Sequence, residues 1–168
     1  MESAKIILLS IAAAILYGIC HDQITARVCV EYFTIGHPPV FNTTSPTLLA
    51  FGWGVIATWW VGLILGWWLS VAARWGTRPK LGVRDLAPSI GLLLAVMAVC
   101  SLISGVVGYL AATRGLVGLD AASRARLPRG THDPFIADLW AHSAAYAVGF
   151  LGGAILCVAT WRRRATPT

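Results

Sequence analysis

The sequence is poor in charged residues, which occupy only 12% of its 168 positions. In soluble domains about a quarter of the residues are charged. The mean hydropathy of +0.72 leaves too few polar side chains to cover a soluble globule. This scarcity predicts a polytopic membrane protein. The net charge of +6 does not indicate nucleic-acid binding, because basic residues flanking membrane spans account for such an excess.

Several catalytic and redox motifs are also absent from the sequence. It contains no HExxH helix of a zinc protease and no GxSxG elbow of a serine hydrolase, and its glycine-rich segments lie inside apolar runs rather than in phosphate-binding loops. None of the four cysteines forms a CxxC pair, so a thioredoxin-type redox site is not indicated. The cysteines are Cys20, Cys29, Cys100 and Cys157.

Long apolar runs predict an all-α protein, a single membrane domain built as a four-transmembrane-helix bundle. The expected spans are residues 5–27, 46–74, 85–113 and 134–161, followed by a disordered tail at 165–168. The second and fourth spans open with Ser45-Pro46 and Asp133-Pro134, which have the N-cap residue and proline typical of a helix start. The loop at 114–131 has room for a short interfacial helical turn.

The distribution of cations predicts the orientation of the bundle. With four spans, both termini and the middle loop share one membrane face. That face carries eight Lys and Arg residues against five on the other. Cytoplasmic loops carry the excess of positive charge, so both termini are predicted to be cytoplasmic.

The stretch from residue 18 to 39 is unusually rich in ionisable residues for a chain of this kind. The end of the first span and the start of the fourth must lie at the same membrane face, which brings His21 and Asp22 near Asp138 and His142. Each pair continues a helical row of small residues, and such rows mark helix–helix contacts in membranes. We therefore expect both pairs to face the bundle interior. The same small-residue faces offer a means of oligomerisation.

Ionisable groups are costly within a membrane, and they are interpreted first as a functional site. Histidine with carboxylate suits zinc, iron or manganese. The predicted metal ligands are His21, Asp138 and His142, with His37 folding back from the loop. Asp22 is a further ligand or a catalytic base, and Glu31 is a second candidate catalytic carboxylate. Such a site predicts a metal-dependent hydrolase that acts on a lipid or another substrate at the membrane edge.

Three other interpretations remain open. The His and Asp side chains could form a polar contact between the first and fourth spans without any ion, in a membrane subunit or solute-conducting protein that is not an enzyme. His21 and His142 could instead be axial ligands of haem b, although the aspartates argue against an apolar haem pocket. Arg27 and Glu31, four residues apart, are expected to form an ion pair on one helix.

The segment HDQITARVCVEYFTIGHP, residues 21–38, resembles a group of small bacterial four-span membrane proteins. The likeness extends through the second span. It implies the membrane class and a bacterial origin, hence the bacterial inner membrane as the location, and it carries over no activity.

Overall fold

The computed structural model describes residues 1–164 of the chain, and no strand occurs among them. The prediction of an all-α fold is confirmed. The predicted disordered tail, residues 165–168, lies outside the described residues. The seven helices are α1 Glu2–Val28, α2 Val30–Thr34, α3 Pro46–Ile56, α4 Trp59–Arg74, α5 Val83–Thr113, α6 Ala121–Arg126 and α7 His132–Arg163.

Four helical segments are long and apolar enough to cross a membrane, which confirms the four-span bundle. They are α1, the segment Pro46–Arg74 formed by α3 and α4, α5, and α7. The second segment is interrupted at Ala57 and Thr58, a feature the sequence analysis did not predict. There the Thr58 hydroxyl donates to the Gly54 carbonyl, and such back-bonding by threonine bends helices.

Glycines let α1 lie directly against α3 and α4. A Cβ atom added at Gly54 would lie 2.5 Å from the backbone nitrogen of Ile19, and one at Gly62 would lie 2.7 Å from the Cα of Ile11. No side chain larger than hydrogen fits at such distances. α5 packs along α7, and α4 also contacts α7, so the four spans enclose a common interior.

The predicted inward rows are present on both helices that carry the site. On α7, Asp138, Ala145, Gly149 and Gly153 are all buried. On α1, the buried residues include Gly18, Asp22 and Thr25. The polar pairs therefore face other helices rather than lipid, and the expected inward rotation of both spans is confirmed.

The helix starts agree with the sequence analysis only in part. Pro46 is the first residue of α3 and Ser45 its N-cap, but the Ser45 side chain makes no capping hydrogen bond. α7 begins at His132 with Thr131 as N-cap, so the prediction of Asp133 as the cap was wrong, because the helix starts two residues earlier than that cap implies. The expected helical turn in the 114–131 loop is α6, capped by Asp120.

Candidate functional site

Three side chains from α1 and α7 converge within the bundle: His21, Asp22 and His142. One ligand atom from each lies within 4.8 Å of the other two, and among residues 1–164 this is the group of His, Cys, Asp and Glu whose geometry suits a metal ion. We refer to these three residues as the ligand group. Asp22 is buried and the two histidines are partly buried. Two consecutive residues of α1, His21 and Asp22, thus lie close to one residue of α7, His142.

A single bond to the helix backbone orients the His142 imidazole. Its Nδ1 lies 2.8 Å from the carbonyl oxygen of Asp138. A carbonyl oxygen can only accept, so this network assigns the proton of the neutral ring to Nδ1. In the neutral ring the other nitrogen, Nε2, carries the lone pair. It lies 3.2 Å from Oδ1 of Asp22, so a direct hydrogen bond between these two atoms requires a proton on the Asp22 carboxyl or on Nε2. His142 therefore presents Nε2 to the ligand group.

His21 is oriented in the same sense by a serine on α5. The Ser101 hydroxyl donates to the Ala141 carbonyl at 2.9 Å. Its oxygen then accepts from Nδ1 of His21 at 3.4 Å, which again leaves the lone pair on Nε2. This Nε2 is buried and has no hydrogen-bond partner. In their neutral forms both imidazoles thus leave Nε2 unprotonated.

Asp138, a predicted ligand, lies beside the ligand group rather than in it. Its residue exposure is 2%, and its Oδ2 atom is buried without a hydrogen-bond partner. Its carbonyl oxygen, not its carboxylate, contacts His142. Asp22 instead supplies the carboxylate oxygen of the ligand group. Asp138 as a ligand stays a prediction.

His37 and Glu31 also lie outside the ligand group. Nδ1 of His37 donates to the Tyr32 carbonyl at 2.8 Å, and its ring contacts Trp53 with the centroids 4.6 Å apart. Glu31 accepts a hydrogen bond from the Cys29 thiol at 3.5 Å. The structure brings neither side chain to the three convergent atoms, and their roles as ligand and catalytic carboxylate stay predictions.

A break in the helix at Cys29 separates α1 from α2 and repositions this segment. Cys29 has extended backbone angles, with φ −149° and ψ 97°. As a result Arg27 donates to Gln23 and Thr47 instead of pairing with Glu31, so the predicted ion pair was wrong. Burial raises the pKa of the Cys29 thiol to about 12. Burial thus disfavours the thiolate, which is the form that binds metals.

Aromatic side chains of α2 cover His142. The Tyr32 ring stacks on His142 with the centroids 4.5 Å apart, and Phe33 contacts the same imidazole edge-on at 5.6 Å. The sequence analysis missed this cover and the role of Ser101. The signal for the cover was the adjacent pair Tyr32-Phe33, which directly follows the ionisable stretch. Nothing in the sequence distinguished Ser101 from the other serines of α5.

The ligand group lies at the wall of a cavity inside the bundle. This cavity of about 120 Å³ extends from His21, Asp22 and His142 past Gly62 to Leu156. Apart from the ligand group, its walls are formed mainly by alanine, glycine and larger apolar side chains of α1, α4, α5 and α7. The cavity thus has the polar ligand group at one end and is mainly apolar along the rest of its length.

Comparison of the chain with protein-family models, curated proteins and solved structures finds no match. The function is therefore argued from the residues of the site.

Proposed function

We propose that the protein is a metal-dependent hydrolase embedded in the membrane, with a divalent ion held by Nε2 of His21, Nε2 of His142 and Oδ1 of Asp22. The observation that carries this proposal is the buried Nε2 of His21, which has no partner in a residue that offers a ligand atom within 4.8 Å of those of Asp22 and His142. Buried polar atoms are nearly always satisfied, and an unsatisfied one calls for an explanation such as an ion.

The donor set fits a catalytic ion. Catalytic zinc sites use three protein ligands and keep one position for water, and two histidines with one carboxylate also suit non-haem iron. The bonds from Nδ1 to a carbonyl oxygen and to Ser101 supply the outer support that metal-binding imidazoles normally have. A bound divalent ion would lower the pKa of water toward neutrality and so supply a nucleophile for hydrolysis.

The residues around the ligand group have separate tasks in this proposal. Ser101 and the Asp138 carbonyl hold the two rings, while Tyr32 and Phe33 cover His142 and keep bulk water from that side. Asp22 acts as the carboxylate ligand.

A contact without an ion is the second candidate, and one observation favours it. Nε2 of His142 and Oδ1 of Asp22 are 3.2 Å apart, which is short enough for a direct hydrogen bond between α7 and α1. This contact does not account for the unpartnered nitrogen of His21. The haem alternative is less favoured, because the two imidazoles touch each other with centroids 4.5 Å apart and leave no gap for a macrocycle.

Metal content and its effect on stability test the proposal. Protein purified in detergent without chelators is expected to contain zinc, iron or manganese in a stoichiometric amount. A chelator should then lower its Tm, because an ion that binds only the folded state stabilises that state. In His142→Ala the chelator should have no effect.

His37→Ala is the matched control, because His37 has the same Nδ1 bond to a carbonyl but lies outside the ligand group. It should respond to the chelator as the parent does. If the parent and both variants contain no metal and the chelator leaves their Tm unchanged, the metal site is refuted. The direct contact between Asp22 and His142, without an ion, is then the remaining candidate. A Soret band in the visible spectrum would indicate haem instead.

A further inference from the structure

A groove on the side of the bundle reaches the ligand group from the lipid-facing surface. It lies between α1, α5 and α7, has a volume of about 390 Å³, and shares Tyr17 and His21 with the interior cavity. His21 therefore forms part of the wall between the two spaces. The outer rim of the groove is apolar and exposed, with Ile24 at 65% and Leu102 at 66%.

The groove has the depth of one leaflet. On α1 it extends from Tyr17 to Val28, a rise of about 16 Å at 1.5 Å per residue. Half of a hydrocarbon core about 30 Å thick is about 15 Å. Since these residues belong to helices that can span a membrane and the rim is apolar, we expect the groove mouth to open toward the hydrocarbon of the bilayer. A lipid chain can enter the groove sideways without crossing water.

The inner wall of the groove is polar but carries no positive charge. His21, Ser101 and Asp138 line it, and no Lys or Arg does. Asp138 is almost fully buried, and its Oδ2 atom lacks a partner. A carboxyl group in this place can pair with an uncharged hydroxyl or amide of a ligand, whereas a phosphate would meet an acidic residue with no cation nearby.

We infer that this groove binds an uncharged acyl lipid of the acylglycerol type, with its hydrocarbon chain along α1 and α5 and its ester and hydroxyl region beside His21 and Asp138. The inference rests on the proposed function and names its substrate class. Hydrolysis consumes one water: the acyl carbon–oxygen bond breaks, the hydroxyl of water goes to the acyl carbon, and its remaining proton goes to the released alcohol.

Photo-crosslinking in lipid nanodiscs tests the groove directly. The probe is a diacylglycerol with a photoreactive group in one acyl chain, and the labelled residues are mapped by mass spectrometry. In the parent we expect labelling of groove residues on α1 and α5 that unlabelled diacylglycerol competes away and phosphatidic acid does not. Labelling that no diacylglycerol displaces, or that phosphatidic acid displaces equally, would overturn the inference.

Ala98→Phe fills the groove from its exposed rim, and Ala154→Phe makes the same change at an exposed α7 position that lines no described cavity. Groove labelling should fall by about tenfold in Ala98→Phe, since each excluded methylene is worth roughly fourfold in binding. It should be unchanged in Ala154→Phe. Equal labelling in the two variants would overturn the inference.

Metal content of the same samples separates this inference from the proposed function. Ala98→Phe should keep its metal, since the substitution does not touch the ligand group. Groove labelling with the expected competition in metal-free protein would support the lipid site and refute the metal hydrolase. Bound metal without competed labelling would refute the lipid site and leave the metal site standing.

Discussion

At the scale of single residues, one hydrogen bond to each imidazole decides which nitrogen is left for a ligand. His142 uses the carbonyl one turn before it on its own helix. His21 depends instead on Ser101, whose hydroxyl proton is already committed to Ala141. Because that proton is committed, the serine oxygen can only accept from His21. Without the serine hydroxyl, neither the orientation of the His21 ring nor its tautomer would be fixed.

Ser101→Ala is therefore expected to weaken metal binding by about 10- to 100-fold, the usual effect of losing an outer partner of a ligand. Ser104→Ala is its matched control, because the Ser104 hydroxyl donates to the Trp140 carbonyl in the same way but touches no histidine. Titration of the metal-free proteins with zinc measures the effect. Equal affinities in the two variants would contradict the role given to Ser101.

The choice between Asp22 and Asp138 as ligand could not be made from the sequence. Both residues lie on inward rows next to a histidine, and helical periodicity places each within reach of the bundle interior. The difference arises from the relative rotation and depth of α1 and α7, which glycine contacts and side-chain packing determine. The proximity of His21 and His142 was predictable, because the end of the first span and the start of the fourth lie at the same membrane face.

At the scale of secondary-structure elements, glycine contacts determine how closely α1 approaches its neighbours. A Cβ atom added at Gly54 would meet backbone atoms of Ile19, whereas one added at Gly149 would meet only the flexible end of the Met97 side chain. A side-chain tip can move, whereas helix backbone cannot move without shifting the whole span. We therefore expect the α1–α3 contact at Gly54 to tolerate added volume less than the α5–α7 contact at Gly149.

Gly54→Ala should destabilise the protein by about 1–3 kcal/mol, the typical cost of overpacking a close contact. Gly91→Ala is the matched control, since an added Cβ there meets nothing within 4 Å. Alanine is also the better helix former, so Gly91→Ala should leave the Tm unchanged or raise it. Thermal unfolding in detergent measures both variants. If the Tm of Gly54→Ala equals that of the parent, the close approach of α1 and α3 is wrong.

The predictable part of the fold is the part that hydropathy and periodicity encode. Four apolar segments and two inward rows of small residues follow from these patterns. The break at Cys29 and the interruption at Ala57 and Thr58 do not, because neither site contains the glycine or proline that usually marks a helix end. The break at Cys29 allows α2 to cover the site.

At the scale of the whole molecule, the end of α7 and the loop between α4 and α5 are joined at one face. The Arg164 guanidinium is buried and donates to the carbonyls of Ala72 and Pro79, among others, at the end of α4. Arg78 donates to the Trp161 carbonyl. These contacts tie the end of α7 to the loop between α4 and α5, at the face that carries more cations.

We predict that this face of the bundle is cytoplasmic, because it carries eight cations against five on the opposite face. An alkaline phosphatase fused after Thr168 should be inactive in a bacterial host, because the enzyme is active only outside the cytoplasm. The same phosphatase fused after Gly118, in the loop of the opposite face, should be active, and a fluorescent reporter that requires the cytoplasm should show the reverse pattern. Phosphatase activity after Thr168 and none after Gly118 would overturn the orientation and place the ligand group near the cytoplasmic face.

The ligand group lies at the end of the bundle opposite Arg164. The expected pattern of reporter activity would therefore locate the proposed hydrolase chemistry and the mouth of the lipid groove in the outer leaflet.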